Sequence, residues 1–252
     1  MRLKIAGFAV LLMGIVPSSF GSTIVNGVFD ISGTIYVTNP EATAVVTPAG
    51  TCPANVACIF WQDSNAANDE KVDISTAGLP NGTIPSAIAG NDAANITNLM
   101  NPPDVVGSGI SVSPFMTFNN DGITTELILN TILPGFYTST DCTLAPAVGQ
   151  TCTLPGSLFN FVNNPPPTGQ ATATWVFEGS TNTPGVSWTG NFSAQFPANT
   201  PFQTVFSELS TNGYVSNTFS ATISLTLPEP GTMSLMVIGC GLIGLAALRR
   251  HR

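Results

Sequence analysis

The clearest structural signal in this chain is TFSATISLTL, residues 218–227, in which apolar and polar side chains alternate without interruption. Successive side chains of a β-strand point to opposite faces, so this pattern predicts a strand with one buried face. The polar face carries only threonine and serine. The face predicted to be buried carries Phe219, Ala221, Ile223, Leu225 and Leu227.

The same alternation recurs along the chain between turns rich in glycine, proline and asparagine. Residues 171–177 and 187–196 alternate on either side of a turn-rich stretch, which predicts an antiparallel hairpin. Further strands are predicted at 29–38, 45–46, 57–61, 116–119 and 126–130. Many alternating strands favour a mainly β domain, and we expect an antiparallel β-sandwich of jelly-roll type.

One or two short helices are expected within this β domain. Pro201–Leu209 has Phe202, Val205, Phe206 and Leu209 on one helical face, and Gly213 follows as a stop. Ser86–Met100 is rich in alanine and has apolar residues in approximate helical phase before Asn101-Pro102-Pro103. The Asn163–Gly169 segment, with three consecutive prolines, is predicted to be a surface loop.

The end of the chain has three parts: Pro228-Glu229-Pro230-Gly231-Thr232, an uncharged run 233–248, and a basic tail 249–252. The run predicts a single, rather short transmembrane helix, with a buried core helix as the alternative. Arg249, Arg250 and Arg252 would act as a stop-transfer signal on the cytoplasmic side, because basic residues favour that side.

This arrangement resembles the PEP-CTERM sorting signal of Gram-negative bacteria, and the resemblance is confined to residues 228–252 and a leading signal peptide. It implies that Pro228, Glu229 and Pro230 are recognised by an exosortase, a membrane protease that resembles transpeptidases. It also implies passage through the inner membrane to the cell surface or exopolysaccharide matrix. The alternative from the residues alone is a plain anchor behind a rigid proline spacer.

The first residues support export. Arg2 and Lys4 precede an apolar run and the small residues Ser18-Ser19-Phe20-Gly21, which is typical of a secretory signal peptide at 1–21. An exported domain then covers residues 22–227. This domain contains one lysine, Lys71, and thirteen carboxylates, which gives it a net charge of −12. Such a surface repels nucleic acid, so we expect no nucleic-acid partner.

Four cysteines lie in the predicted exported domain: Cys52, Cys58, Cys142 and Cys152. An even number in an exported chain predicts disulfides, and three pairings are open. The local pairs Cys52–Cys58 and Cys142–Cys152 are favoured because each would close a short loop.

The densest group of carboxylates lies in the polar segment 62–73. Oxygen ligands at Asp63, Asn65, Asp69 and Asp73 are a candidate structural Ca²⁺ site, although the spacing is not that of an EF-hand. A solvated turn stabilised by Asn and Asp side chains is the favoured interpretation. No other cofactor is expected.

Catalytic residue types are scarce. The single histidine, His251, belongs to the basic tail, so neither a serine nor a cysteine nucleophile has a histidine base. We therefore expect no enzyme activity. The one scheme that needs only carboxylates is glycoside hydrolysis. Its candidate pairs come from Glu126, Glu178 and Glu208, or from Asp63 and Asp69.

Two non-enzymatic functions remain open. The first is a structural or adhesive protein of the cell surface or exopolysaccharide matrix. The second is a carbohydrate-binding module that presents an aromatic side chain to a polysaccharide. Trp175 and Trp188 alternate in phase with apolar neighbours and are interpreted as core residues, whereas Trp61 fits the core and a surface platform equally well.

Overall fold

The computed structural model describes residues 27–63, 70–75, 93–120 and 123–226. These residues form fourteen strands, one α-helix and a 3-10 helix at Thr140–Thr143. The helix α1 is Phe202–Asn212, and the strands are β1 Gly27–Thr38, β2 Val45–Thr47, β3 Gly50–Cys52, β4 Ala57–Gln62, β5 Lys71–Ser75, β6 Ala93–Ile96, β7 Leu99–Asn101, β8 Gly109–Asn120, β9 Ile123–Ile132, β10 Thr151–Cys152, β11 Asn160–Asn163, β12 Ala171–Thr181, β13 Ser187–Gln195 and β14 Tyr214–Thr226.

Eight of these strands close into an antiparallel barrel, so the prediction of a β-sandwich is wrong. The ring runs β1, β5, β6, β8, β9, β12, β13, β14 and returns to β1. Closure depends on the pairing of β9, the last strand of the order, with β12, which β11 and β10 flank outside the ring. A closed sheet has no free edges in the ring, which removes sites of edge-to-edge aggregation.

Two strands of the ring, β1 and β12, are long enough to pair with two different strands along the same edge. One of the two partners belongs to the ring, and the other lies outside it. Along β1, residues 30–32 pair with β5 inside the ring, whereas 34–37 pair with β4 outside it. Along β12, residues 177–181 pair with β9, whereas 171–174 pair with β11. The flanking strands β4 and β11 therefore diverge and leave an open end.

Aromatic rings fill the closed part of the barrel. The centre is Trp61, which has no exposed surface and whose ring centroid lies 5.1 Å from Phe219 and 5.9 Å from Phe192. Phe115 stacks on Trp188 with ring centroids 5.8 Å apart. Inward faces are supplied by the predicted strands: β14 buries Phe219, Ala221, Ile223 and Leu225. Burial of these rings is the main stabilising contribution to the barrel.

Helix α1 confirms the predicted helix at Pro201–Leu209 and extends it to Asn212. Its buried face includes Phe202 and Val205, and Gly213 ends it with a left-handed φ of 77°. Since Pro201 offers no capping side chain, the first helical amide donates instead to Oδ1 of the distant Asn163, at 2.9 Å. The last residue of β11 thus holds the start of the helix in place.

The helix predicted at Ser86–Met100 is wrong over its last part, where β6 and β7 form instead. β6 pairs with both β5 and β8, and β7 pairs with β4. Residues 86–92 lie outside the described residues. Ladder hydrogen bonds with neighbouring strands override a weak local helical phase, as tertiary context often does.

Most of the predicted strands are confirmed, and the hairpin of β12 and β13 has the expected antiparallel register from Thr172↔Gln195 to Ser180↔Ser187. Over the part of the chain that the structure describes, no helix has both the length and the apolar character needed to cross a membrane. The predicted signal peptide at 1–21 and the predicted transmembrane helix at 233–248 lie outside the described residues.

Both favoured cysteine pairs form disulfides. Cys52–Cys58 ties the β2–β3 hairpin to β4 and belongs to a small outer cluster with Tyr36, Ala49 and Phe60. Cys142–Cys152 ties the 3-10 helix to β10. Each bridge therefore attaches a peripheral segment to the barrel.

Candidate functional site

Two adjacent aromatic residues, the exposed Phe136 and the half-buried Tyr137, follow β9 on the surface and are called the exposed aromatic pair below. Phe136 is 74% exposed, and the centroids of the two rings lie 4.5 Å apart with an interplanar angle of 58°. Adjacent aromatic rings on a surface form a contiguous apolar patch, and such patches can mark binding sites.

Buried polar side chains hold the backbone of the exposed aromatic pair. The Phe136 amide donates to Oδ1 of Asn160 at 2.7 Å, and the Tyr137 amide donates to Oγ1 of Thr153 at 3.2 Å. Thr153 in turn donates to Asn160 at 2.9 Å, and both are buried. The rings therefore project from a backbone that is fixed by three linked hydrogen bonds.

A second feature is a cavity of about 480 Å³ at the open end of the barrel, called the end cavity below. Its walls come from β1, β4, β12, β14 and one face of α1. The lining is mostly apolar and includes Ile35, Ile59, Leu158, Phe161, Trp175 and Val205. Its volume falls within the ~300–1,000 Å³ typical of small-molecule sites.

The three tryptophans are core residues: Trp61, Trp175 and Trp188 are at most 1% exposed. The interpretation of Trp175 and Trp188 is confirmed, and the question left open for Trp61 is settled in favour of the core. None of them can present a ring to a surface ligand. Sequence reasoning missed the exposed aromatic pair, whose only local signal is two adjacent aromatic residues directly after Pro134-Gly135.

The candidate calcium ligands are only partly described. Asp63 is buried at the end of β4, and Asp73 lies half-buried on β5 opposite Ser32 of β1. Asn65 and Asp69 lie outside the described residues. Among the residues that the structure does place, no group of three histidine, cysteine, aspartate or glutamate side chains is arranged to hold a metal ion. The calcium site stays a prediction.

Two of the glutamates considered for glycoside hydrolysis, Glu126 and Glu178, lie far apart, whereas Asp69 of the pair Asp63 and Asp69 lies outside the described residues. Glu178 is exposed on β12 and lies opposite Thr131 of β9, whereas Glu126 is five residues away along β9. Five residues of strand span roughly 17 Å, compared with the ~5–9.5 Å that separates catalytic carboxyl groups in glycosidases. Glu208 is exposed on α1. The fold does not bring Glu126 and Glu178 into a catalytic pair.

The predicted sorting residues Pro228, Glu229 and Pro230 lie outside the described residues, as do Arg249, Arg250 and Arg252 of the predicted stop-transfer signal. Lys71, the one cation of the predicted exported domain, lies half-buried on β5. No lysine or arginine lines the described walls of the end cavity.

No family model matches the sequence, and the comparisons with curated proteins and with solved structures find no similar chain. The fold and its sites define a structural class: a disulfide-bonded, closed antiparallel barrel with an exposed aromatic pair and an apolar end cavity.

Proposed function

We propose that this chain is an exported structural or adhesive protein of the cell surface or exopolysaccharide matrix, without catalytic activity. The observation that carries the proposal is the pair of disulfides, Cys52–Cys58 and Cys142–Cys152. Disulfides persist in oxidising compartments and are rare in the cytosol of mesophiles. The resemblance of residues 228–252 to a sorting signal supports delivery by an exosortase.

The outer surface of the barrel is suited to a hydrated matrix. Outward positions of β13 and β14 carry serine, threonine and asparagine, and cross-strand hydroxyl contacts join Ser187 to Thr226 at 2.8 Å. Asp30 of β1 accepts a hydrogen bond from Thr222 of β14 at 2.8 Å. A surface of hydroxyls, amides and scattered carboxylates stays soluble while offering many hydrogen-bonding groups to a polymer.

Export and sorting are tested by expressing the full chain in a Gram-negative host with and without an exosortase. We expect surface protein whose four barrel cysteines resist thiol labelling until reduced, and we expect surface delivery to require the exosortase. Replacing Pro228, Glu229 and Pro230 by alanine should prevent delivery, whereas the neighbouring Thr232→Ala should not. Labelling of all four thiols on protein confined to the cytosol would refute the proposal.

A second candidate function, binding of a neutral polysaccharide, is favoured by the exposed aromatic pair. A ring with an exposed face can stack on a sugar, and the fixed backbone of Phe136 and Tyr137 lowers the entropy lost on binding. The net charge of −12 in the predicted exported domain disfavours acidic polymers.

Affinity electrophoresis in gels that contain neutral or acidic polysaccharides tests this candidate. The wild-type chain should be retarded by at least one neutral polymer, and Phe136→Ala with Tyr137→Ala should abolish the retardation. Val46→Ala removes an apolar side chain that is 71% exposed on the β2–β3 hairpin and serves as the matched control. Equal retardation of all three proteins, or of none, would exclude the aromatic pair as the binding site.

A further inference from the structure

Two residues that line the end cavity carry buried hydrogen-bond donors without acceptors. Within the part of the chain that the structure describes, neither Nε1 of Trp175 nor Nδ2 of Asn217 has a hydrogen-bond partner. Both residues line the cavity. A buried N–H group that loses its hydrogen bond to water lowers stability, so such groups are rare in folded proteins and call for an explanation.

The position of Asn217 departs from the pattern of its strand. On β14, Asn217 is in phase with the inward-facing Phe219, Ala221 and Ile223, where an apolar residue would be expected. Its Oδ1 accepts a hydrogen bond from the Thr218 amide at 2.8 Å, which leaves Nδ2 as the donor. A polar side chain here costs stability unless something in the cavity accepts its hydrogen bond.

Trp175 makes the same point from β12, which is separated from β14 only by β13. It is 1% exposed on β12, where its ring stacks on Phe192 with centroids 5.4 Å apart. Trp188, by comparison, donates from Nε1 to the carbonyl of Ile128 at 3.0 Å. Trp175 and Asn217 thus bring two unpartnered donors to the wall of a mostly apolar cavity.

The charges of the lining indicate what kind of acceptor fits. Asp104 is the carboxylate of the described lining, its Oδ2 accepts from the Met100 amide at 2.9 Å, and no cation lies there to pair with a negative ligand. Moving a carboxylate into such a site without a counter-charge is costly. A neutral carbonyl oxygen can accept hydrogen bonds without that cost.

We propose that the end cavity binds a neutral lipophilic molecule with an alkyl chain and a carbonyl oxygen, such as a ketone or an ester. The chain packs against the apolar walls, and the oxygen accepts a hydrogen bond from Trp175 Nε1 or from Asn217 Nδ2. This site is separate from the exposed aromatic pair and does not depend on how the protein is sorted.

Indole N–H signals in ¹⁵N-labelled full-length protein report directly on the proposed donors. The probes are 2-octanone, octane and octanoate, which share chain length and differ in the acceptor. We expect 2-octanone to shift the Trp175 signal and to bind more tightly than octane or octanoate. Trp188, whose Nε1 is already bonded, and Trp61, whose Nε1 also has no partner among the described residues but which does not line the end cavity, serve as internal controls and should shift little.

Variants separate the donors from the cavity itself. At least one of the variants Asn217→Leu and Trp175→Phe should weaken 2-octanone binding by about fivefold and leave octane binding unchanged. Asn191→Leu, on the exposed face of β13, is the matched control and should change neither. Ala194→Leu adds volume to the lining, makes the cavity smaller and should weaken binding of both 2-octanone and octane. An unchanged Trp188 signal in each variant shows that the barrel is folded.

Three results would overturn the proposal: no shift of Trp175 with any probe, equal affinity for octane and 2-octanone in the wild-type chain, or a preference for the ketone that survives the double variant of Asn217 and Trp175. Tighter binding of octanoate than of 2-octanone would contradict the assignment of a neutral ligand.

Discussion

Substitution of Gly179 by alanine tests how tightly the barrel is closed. Gly179 lies at a register shift where β12 pairs with β9, and a Cβ atom there would stand 1.9 Å from the Ile128 carbonyl oxygen and 2.5 Å from Trp188 Nε1. Both atoms belong to the hydrogen bond that holds the Trp188 indole. A methyl group therefore must displace the backbone of β9, the indole, or both.

The magnitude follows from two contributions. Overpacking of a filled site costs about 1 to 3 kcal/mol, and leaving the buried Trp188 N–H without its acceptor costs about 1 to 3 kcal/mol. We expect Gly179→Ala to lower the free energy of unfolding by about 2 to 6 kcal/mol. For a chain of this size, each kcal/mol shifts Tm by roughly 2–4 °C.

The assay is urea unfolding with the disulfides intact, followed by tryptophan fluorescence. Gly109→Ala is the matched control because Gly109 lies on the neighbouring strand β8 and a Cβ atom there meets nothing within 4 Å. It should change stability by about 0.5 kcal/mol or less, or increase it slightly by restricting the unfolded chain. If Gly179→Ala unfolds within about 1 kcal/mol of Gly109→Ala, the reasoning about close packing at the closure is wrong.

Three further predictions concern the periphery of the barrel. Replacing Cys142 and Cys152 together by serine opens a loop with a sequence separation of 10. In the chain-entropy model this should lower the free energy of unfolding by about 2.7 kcal/mol, which calorimetry can measure. An unchanged Tm would contradict this prediction. Asn163→Ala removes the acceptor for the first amide of α1 and should lower the free energy of unfolding of the protein by about 1 to 3 kcal/mol. Amide hydrogen exchange should become faster in that helix only. Exchange in the helix that is no faster than in the wild-type chain would show that Asn163 does not hold the helix. If the segment 62–73 binds Ca²⁺, a chelator should lower Tm, and an unchanged Tm would exclude a structural ion there.

Strand positions were largely predictable because alternation is a local property of the sequence. The patterns at 29–38, 171–177, 187–196 and 218–227 required no knowledge of what the strands pack against, and all four regions form strands of the barrel. The local cysteine pairs were favoured for the same reason, since short separations limit the geometry.

The helix expected at Ser86–Met100 shows where local signals fail. Its apolar residues Ile96 and Leu99 suit a helix or a pair of short strands equally well, and period alone does not separate these alternatives for short runs. Pairing of β6 with β5 and β8 decides in favour of strands. The candidate sites were also beyond local reasoning, because the end cavity is assembled from segments as distant as Ile35 and Val205.

The residue pattern alone determined the β character, the strand faces, the short helix α1 and the scarcity of catalytic side chains in the predicted exported domain. Tertiary structure alone decided that the sheet closes into a ring instead of packing as two layers. The physical reason is that closure depends on one long-range contact, β9 with β12, at a glycine where backbone and indole approach closely. The same geometry determines which side chains the protein exposes and which donors it leaves inside the end cavity.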